Sequence, residues 1–299
     1  MPELPDVVVY LEALNRHVLG ETLDKVRMTS PFLLRTVDPP LKEATTRRVV
    51  STRRLGKRLV LGVEGEVFLV IHLMIAGRLR WREAGAKVPG KVGLAAFDFS
   101  AGTLLLTEAS KKKRASLHVV RGEAALARFD PGGLEPLEAK PASFRETLTR
   151  ENRTLKRALT DPRIFSGIGN AYSDEILHRA RLSPLRLTQK LTAAEIKRLH
   201  EATHQTLVWW TDHLRAEVGD GFPEKVTAFR DRMAVHGRFQ KPCPDCGSPV
   251  QRIRYADREC NYCAKCQNEG RLLADRSLSR LLKKDWPKRL EDLENLYRK

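Results

Sequence analysis

The sequence predicts an α+β multidomain protein, with an N-terminal helix plus an antiparallel β-sandwich, then a helical domain, then a C-terminal four-cysteine ribbon. Three observations predict it. Short β-branched or alternating runs fill residues 22–120, apolar spacing of helical period takes over after Asp130-Pro131-Gly132-Gly133, and all five cysteines fall between residues 243 and 266. A length of 299 residues accommodates two or three modest cores, and a hydrophobic content of 41% is that of an ordinary globular chain. The expected boundaries are 1–130 for the sandwich domain, 131–234 for the helical domain, 235–270 for the ribbon and 271–299 for a basic extension.

Taken in order, Pro5 suits the first position of a helix whose apolar face carries Val7, Val8, Leu11, Leu14 and Val18. Strand texture follows at Arg47–Val50, Arg58–Val63, Val67–Leu73, Leu94–Phe99 and Thr103–Leu106, punctuated by glycines, which is the pattern of an antiparallel sandwich or barrel. Helical spacing covers Phe144–Leu148, Leu155–Leu159, Ala171–Ala180 and the long stretch Ala193–Val218. The extension is basic and partly helical in pattern. Its Arg276, Arg280, Lys283, Lys284, Lys288 and Arg289 are placed for phosphate, and Leu278, Leu281, Leu282 and Trp286 for packing on the body.

The chain carries 54 Lys and Arg against 37 Asp and Glu, a net charge of +17 that favours a polyanionic partner through counterion release. No apolar run approaches the roughly 20 residues of a membrane span, and no signal sequence opens the chain, so a membrane partner is not expected and the cytoplasm or nucleoid is. Cys243-x2-Cys246 and Cys263-x2-Cys266, separated by sixteen residues, have the spacing of a four-cysteine zinc ribbon. One structural Zn2+ is expected, since four protein ligands leave no position for a catalytic water. Cys260-x2-Cys263 is an alternative pair. The ribbon would present Arg252, Arg254 and Arg258 to phosphate.

The first residues carry candidate chemistry. Removal of Met1, expected before so small a residue as proline, leaves a secondary amine on Pro2 beside the Glu3 carboxylate. An α-amine has a pKa of about 8 against about 10.4 for lysine, so far more of it is neutral at physiological pH. The positive end of the following helix favours that neutral form further. The same six residues also make an ordinary helix cap, and the rest of the chain decides between the two.

Five segments, in order, resemble the formamidopyrimidine-DNA glycosylase and endonuclease VIII family. Pro2-Glu3-Leu4-Pro5 is similar to the family's PELPE start, Arg54-Leu55-Gly56-Lys57 to its RRGK segment, and His72-Leu73-Met74-Ile75-Ala76-Gly77 to its HLGMSG strand end. Gly167-Ile168-Gly169-Asn170-Ala171-Tyr172, followed by Glu175-Ile176-Leu177 and Leu182-Ser183-Pro184, resembles the helix-two-turn-helix signature, and Val235-His236-Gly237-Arg238 resembles VYGR. The resemblance spans nearly the whole chain. It implies a monomeric, bifunctional DNA glycosylase and AP lyase of base excision repair acting on damaged double-stranded DNA. Pro2 would be the nucleophile and Glu3 its acid/base partner, with Asp6 where the family has Glu and Lys57 gripping a phosphate. DNA contacts are implied for Asn170, Arg258, His72, Lys156 and Arg114, and for Ile75 and Met74 as the residues that fill the vacated stack.

Two segments depart from the family. The Asp-Pro-Arg-Arg-Phe-Gly loop, which supplies an arginine and an aromatic wedge, is replaced by Glu108-Ala109-Ser110-Lys111-Lys112-Lys113-Arg114-Ala115-Ser116, and Gly219–Phe229 lacks the recognisable lesion-capping loop. An endonuclease VIII-like preference for pyrimidine lesions or abasic sites, or a non-catalytic DNA-binding member, is therefore the alternative.

Overall fold

The computed structural model describes residues 1–255, 258–274, 280–283 and 287–292, with the side chains of Tyr255 and Arg258 outside that description. It divides into two units, Met1–Gly132 with Trp210–Ala228, and Gly133–Trp209 with Phe229–Lys299.

In the first unit, helix α1 (Leu4–His17) is followed by β1 (Thr22–Met28), β2 (Arg47–Leu55), β3 (Arg58–Val63), β4 (Val67–His72), β5 (Gly77–Arg82), β6 (Gly93–Phe99), β7 (Gly102–Glu108), β8 (Ser116–Arg121) and the short α2 (Glu123–Ala127). Every pairing is antiparallel, in the order β5-β7-β6-β1-β2-β3-β4-β8. Strands β1 and β2 touch only through Thr22↔Arg48 and Leu23↔Arg47, so the sheet is two four-stranded halves with a short junction. Side chains from both halves share one core, among them Leu59, Leu61, Leu69, Ile71, Leu79, Phe97, Leu104 and Leu106, as the sandwich expectation requires. Alternation explains the apolar run of β3: Leu59, Leu61 and Val63 enter that core, while Val60 faces the opposite way and packs with Phe68, Val70, Val120 and Leu126 of α2.

Helix α1 closes the core with Val7, Tyr10, Leu14 and Val18. Val8 and Leu11 of the expected stripe are only half-buried, and Leu4, Tyr10 and Ala13 are fully buried instead, because the buried stripe is rotated around the helix. The edge strand β5 alternates Leu79 and Trp81, packed on the core, with Arg78, Arg80 and Arg82. Its polar half hides it from a search for apolar runs.

The second unit contains α3 (Pro141–Thr149), α4 (Leu155–Thr160), α5 (Asn170–Arg179), the first part of α6 (Ala193–Val218), the hairpin β9 (Gln251–Tyr255) and β10 (Arg258–Tyr262), and α7 (Ala264–Asn268). Helix α6 has the bounds the sequence predicts. Thr192 starts it: its N–H donates to Glu195 Oε2 at 2.7 Å and its Oγ1 accepts from the Glu195 N–H at 3.2 Å, a reciprocal capping box. Among the described residues no helix is long and apolar enough to cross a membrane. In the extension, Leu281 is 77% and Leu282 38% exposed, against the expectation that they pack, whereas Leu290 is buried. Leu278, Trp286, Arg276 and Lys284 lie outside the described residues.

Candidate active site and metal centre

The chain start is buried although it is polar. Pro2, Glu3 and Asp6 are all buried, with Glu3 2% and Asp6 3% exposed. Glu3 is the N-cap of α1, its N–H donating to Asp6 Oδ2 at 2.9 Å while its carboxylate accepts from the Asp6 backbone. Asp6 thus has the helix-capping geometry, and one methylene fewer than Glu suffices for it. The α-amine, which belongs to Met1 in the full sequence, is held below its ordinary pKa first by burial, then against the opposing charges of Glu3 and Asp6 with the help of Arg78 and Lys57. Two acids and two cations therefore converge on the amine.

Lys57 lies on the two-residue turn between β2 and β3, where Leu55 pairs with Arg58. Gly56 occupies the first central position with φ +59°, as a type II′ turn requires and an L side chain resists. His72 lies at the end of β4 opposite Arg58 and Ser116. Burial, followed by the charges of Arg58, Lys57 and His118, lowers its pKa to about 4, so at neutral pH it offers a neutral imidazole and not a cation for phosphate.

The turn after His72 presents the apolar candidates. Gly77 N–H donates to Leu73 O at 2.8 Å, and a Cβ on Gly77 would stand 2.3 Å from that same oxygen, so only glycine closes this turn. Met74 is half-buried with φ +51°, and Ile75 is 53% exposed at the tip. Register places the lysine-rich loop beside it, because Gly77 pairs with Glu108 and His72 with Ser116. Glu108, 1% exposed, organises that loop: its Oε2 accepts the N–H groups of Arg114 and Ala115 at 2.9 and 3.0 Å, and Lys113 Nζ donates to its carbonyl. The loop's shape is thus set by a buried acid, while Lys111, Lys112 and the Arg114 side chain are exposed.

In the second unit, Asn170 opens α5 after the glycine N-cap Gly169, and its Nδ2 donates to Glu259 O of β10 at 2.8 Å. Lys156, expected on DNA, has an internal task. Its Nζ donates to Asn170 O at 2.7 Å, Ser173 Oγ at 2.8 Å and Asp174 Oδ1 at 2.5 Å. Asp174 also accepts from Asn261 N at 3.1 Å and pairs with His236 Nδ1 at 2.8 Å. Burial would raise the Asp174 pKa, but the Lys156 charge and the His236 bond outweigh it and hold it below the usual value. Its neighbour Glu175 accepts three N–H groups, from Ala234, Val235 and His236, at 2.7, 3.0 and 2.9 Å. These two acids fasten the Val235–Arg238 segment and β10 to α5. Sequence reasoning missed Asp174; its place beside Glu175, directly before Ile176 and Leu177 in the same helix, is the signal that could have found it.

The Sγ atoms of Cys243, Cys246, Cys263 and Cys266 lie within 4.8 Å of one another. A tetrahedral ion with metal–sulfur bonds near 2.3 Å needs sulfurs about 3.8 Å apart. Cys243–Cys266 at 3.9 Å and Cys246–Cys263 at 3.5 Å meet that requirement. Cys260 is outside this group; it is buried on β10, where desolvation and Asp174 push its thiol pKa well up. Arg252 stacks over Phe239 at 4.0 Å, and Arg254 is exposed. The Arg258 side chain lies outside the described residues.

Comparison with known proteins bears on both units. Residues 1–117 match the formamidopyrimidine-DNA glycosylase N-terminal domain, and residues 133–209 match the formamidopyrimidine-DNA glycosylase H2TH domain. The chain is 36% identical over 281 residues to a formamidopyrimidine-DNA glycosylase of Thermus thermophilus, covering 90% of this chain and 100% of the relative. Against the formamidopyrimidine-DNA glycosylase of Desulforamulus reducens it is 31% identical over 290 residues, covering 89% and 99%. Among solved structures, the MutM (Fpg) protein of Thermus thermophilus gives a TM-score of 0.73 at 34% identity, covering 90% and 100% of the two chains. Lactococcus lactis Fpg in complex with DNA containing an abasic site shares the fold, with a TM-score of 0.77 at 24% identity over 89% and 99%. The chain belongs to the formamidopyrimidine-DNA glycosylase family, a family of DNA glycosylases of base excision repair.

Proposed function

We propose that this protein is a bifunctional DNA glycosylase and AP lyase that removes oxidised bases through the N-terminal amine of Pro2. The observation that carries the reading is the buried chain start, where Pro2 lies between the Met1 amine and the buried Glu3, with Asp6 capping the same helix and the charges of Glu3, Arg78, Asp6 and Lys57 acting on that end of the chain. An α-amine, with an ordinary pKa of about 8, is neutral in a far larger fraction at pH 7 than a lysine side chain, and so better able to attack.

After Met1 is removed, the Pro2 nitrogen attacks C1′ of an extruded nucleotide, the N-glycosidic bond breaks and the base departs with a proton. Glu3 donates a proton to the sugar ring oxygen as the C1′–O4′ bond opens, leaving an iminium between Pro2 and C1′. The iminium acidifies the C2′ proton; its loss expels the 3′ phosphate, and a second elimination expels the 5′ phosphate. Lys57 binds a neighbouring phosphate, Ile75 with Met74 fills the vacated stack, and Asn170, Arg114 and Arg258 contact the strand. His72 contacts DNA as a neutral imidazole, and Lys156 holds Asn170 O in place.

Cys243, Cys246, Cys263 and Cys266 would hold one Zn2+, whose contribution is structural, fixing the hairpin that carries Arg252 and Arg254. Four reduced thiols imply a reducing, intracellular compartment.

The lesion class follows from the loop after β7. With cations and no aromatic side chain there, nothing built into that loop reads the orphaned base, which favours a broad range that includes pyrimidine lesions and abasic sites. Borohydride trapping on duplexes carrying 8-oxoguanine, formamidopyrimidine, thymine glycol or an abasic site tests both parts. Covalent complexes on several of these support the reading, and none on any, with folded protein and Met1 confirmed removed, overturns it.

A further inference from the structure

Strand β5 places Arg78, Arg80 and Arg82 on one face at the sheet edge, and the segment Phe222–Thr227 is fastened there. Arg82 makes a paired contact with Glu224 at 2.6 and 3.0 Å, and Arg78 Nε donates to Val226 O at 2.5 Å. Phe222 and Val226 pack into the sandwich core, Phe222 lying 5.8 Å from the Tyr10 ring. Arg16 caps the start of the segment by donating to Gly219 O and Gly221 O at 3.3 and 3.0 Å. Arg78 differs from the other arginines in reaching a second element: its Nη1 donates to Gly77 O at 2.6 Å and Ile75 O at 3.3 Å, in the turn that carries the exposed Ile75. One guanidinium thus joins the apolar turn to the Phe222–Thr227 segment, and its charge also acts on the chain-terminal amine.

We propose that Arg78 is a positioning residue for the reaction, fixing the Leu73–Gly77 turn and the Phe222–Thr227 segment in one arrangement on the side of the unit that holds the amine. The inference rests on the assignment of Pro2 as nucleophile. A planar fork with five donors can serve three carbonyls on two elements at once, which a lysine ammonium on a flexible stem cannot do in the same geometry. The segment is therefore a fastened strap, and the turn is preset before DNA arrives. Glu3 and Asp6 from α1, Lys57 from the β2–β3 turn and Arg78 from β5 are the charges that face the amine, so removing Arg78 also shifts the balance there toward the protonated form.

The test measures the rate of borohydride trapping on abasic-site DNA across pH for Arg78→Met, Arg78→Lys and Glu224→Gln, with tryptic cleavage at Lys225 reporting on the strap. Arg78→Met is expected to trap about tenfold more slowly at pH 7, to move the acid limb of the profile up, and to be cut faster at Lys225. Arg78→Lys keeps the charge, so its acid limb stays in place while its rate falls. Glu224→Gln loosens the strap from Arg82 and leaves the limb unmoved. A wild-type rate in both Arg78 variants overturns the proposal, as does a fall in rate for Arg78→Met with an unmoved limb, which is what a merely structural role gives. If Arg78→Met does not fold, Arg78→Lys decides alone, and a wild-type rate there overturns it. Failure of the wild type itself to trap would instead refute the assignment of Pro2.

Discussion

Replacing Asp174 by Asn tests the network that ties α5 to the ribbon. The side chain of Asp174 is 0% exposed and that of its partner Lys156 12%, so the pair is a buried one, and breaking such a pair from one side costs about 3–5 kcal/mol. Asn keeps an oxygen for one donor, and Lys156 retains Ser173 Oγ and Asn170 O, which places the expected loss near the lower end, about 3 kcal/mol. For a unit of this size that lowers the melting temperature by about 6–12 °C. Calorimetry at pH 7 measures it. Because the Asp174 pKa is depressed in the folded state, its contribution is complete at neutral pH and is lost as pH falls through that depressed value. Glu175 has the opposite sign: burial raises its pKa against its three N–H donors, so its contribution is largest in acid and declines as pH rises through the folded value. Asp174→Asn should therefore flatten the acid side of the stability profile. A cost below about 1 kcal/mol for Asp174→Asn would refute the assignment of this pair as the fastening of the unit.

Gly77→Ala places a methyl against Leu73 O, and should cost about 1–3 kcal/mol in thermal unfolding and disturb the turn carrying Ile75. Ile75→Ala should leave stability within about 0.5 kcal/mol, because the side chain is 53% exposed, yet weaken binding to abasic-site duplex more than to undamaged duplex in a titration of both. A strong chelator should release one zinc per chain, measured by metal analysis, and abolish duplex binding while the sandwich retains its own unfolding transition.

Legibility of the fold followed its physics. The bounds of α6 were readable because Thr192 and Glu195 form a capping box in front of a sustained helical period. The cysteine spacing was readable because two tight turns each supply two thiols, and geometry then separated Cys266 from Cys260, which spacing alone left open. Strands β1 and β5 were hidden by their charges, since the edge strand β5 gives half of its positions to arginine. Chemistry at the chain start was legible as residue types. What acts on it was legible only in part: Lys57 of the β2–β3 turn was expected there, whereas Arg78, on the edge strand β5, acts on the same end of the chain only because of the fold. Lys156 shows the same limit: the resemblance marks it for DNA, and its bonds to the buried Asp174 and to Asn170 O were not visible in the sequence.

Mass mapping of the borohydride-reduced complex with abasic-site DNA, after proteolysis, identifies which nitrogen attacks the sugar. The account predicts the sugar remnant on the N-terminal peptide, attached at Pro2, with Met1 absent. A remnant on Lys57 or any other lysine, or normal strand cleavage by protein that retains an N-terminal tag, would contradict it.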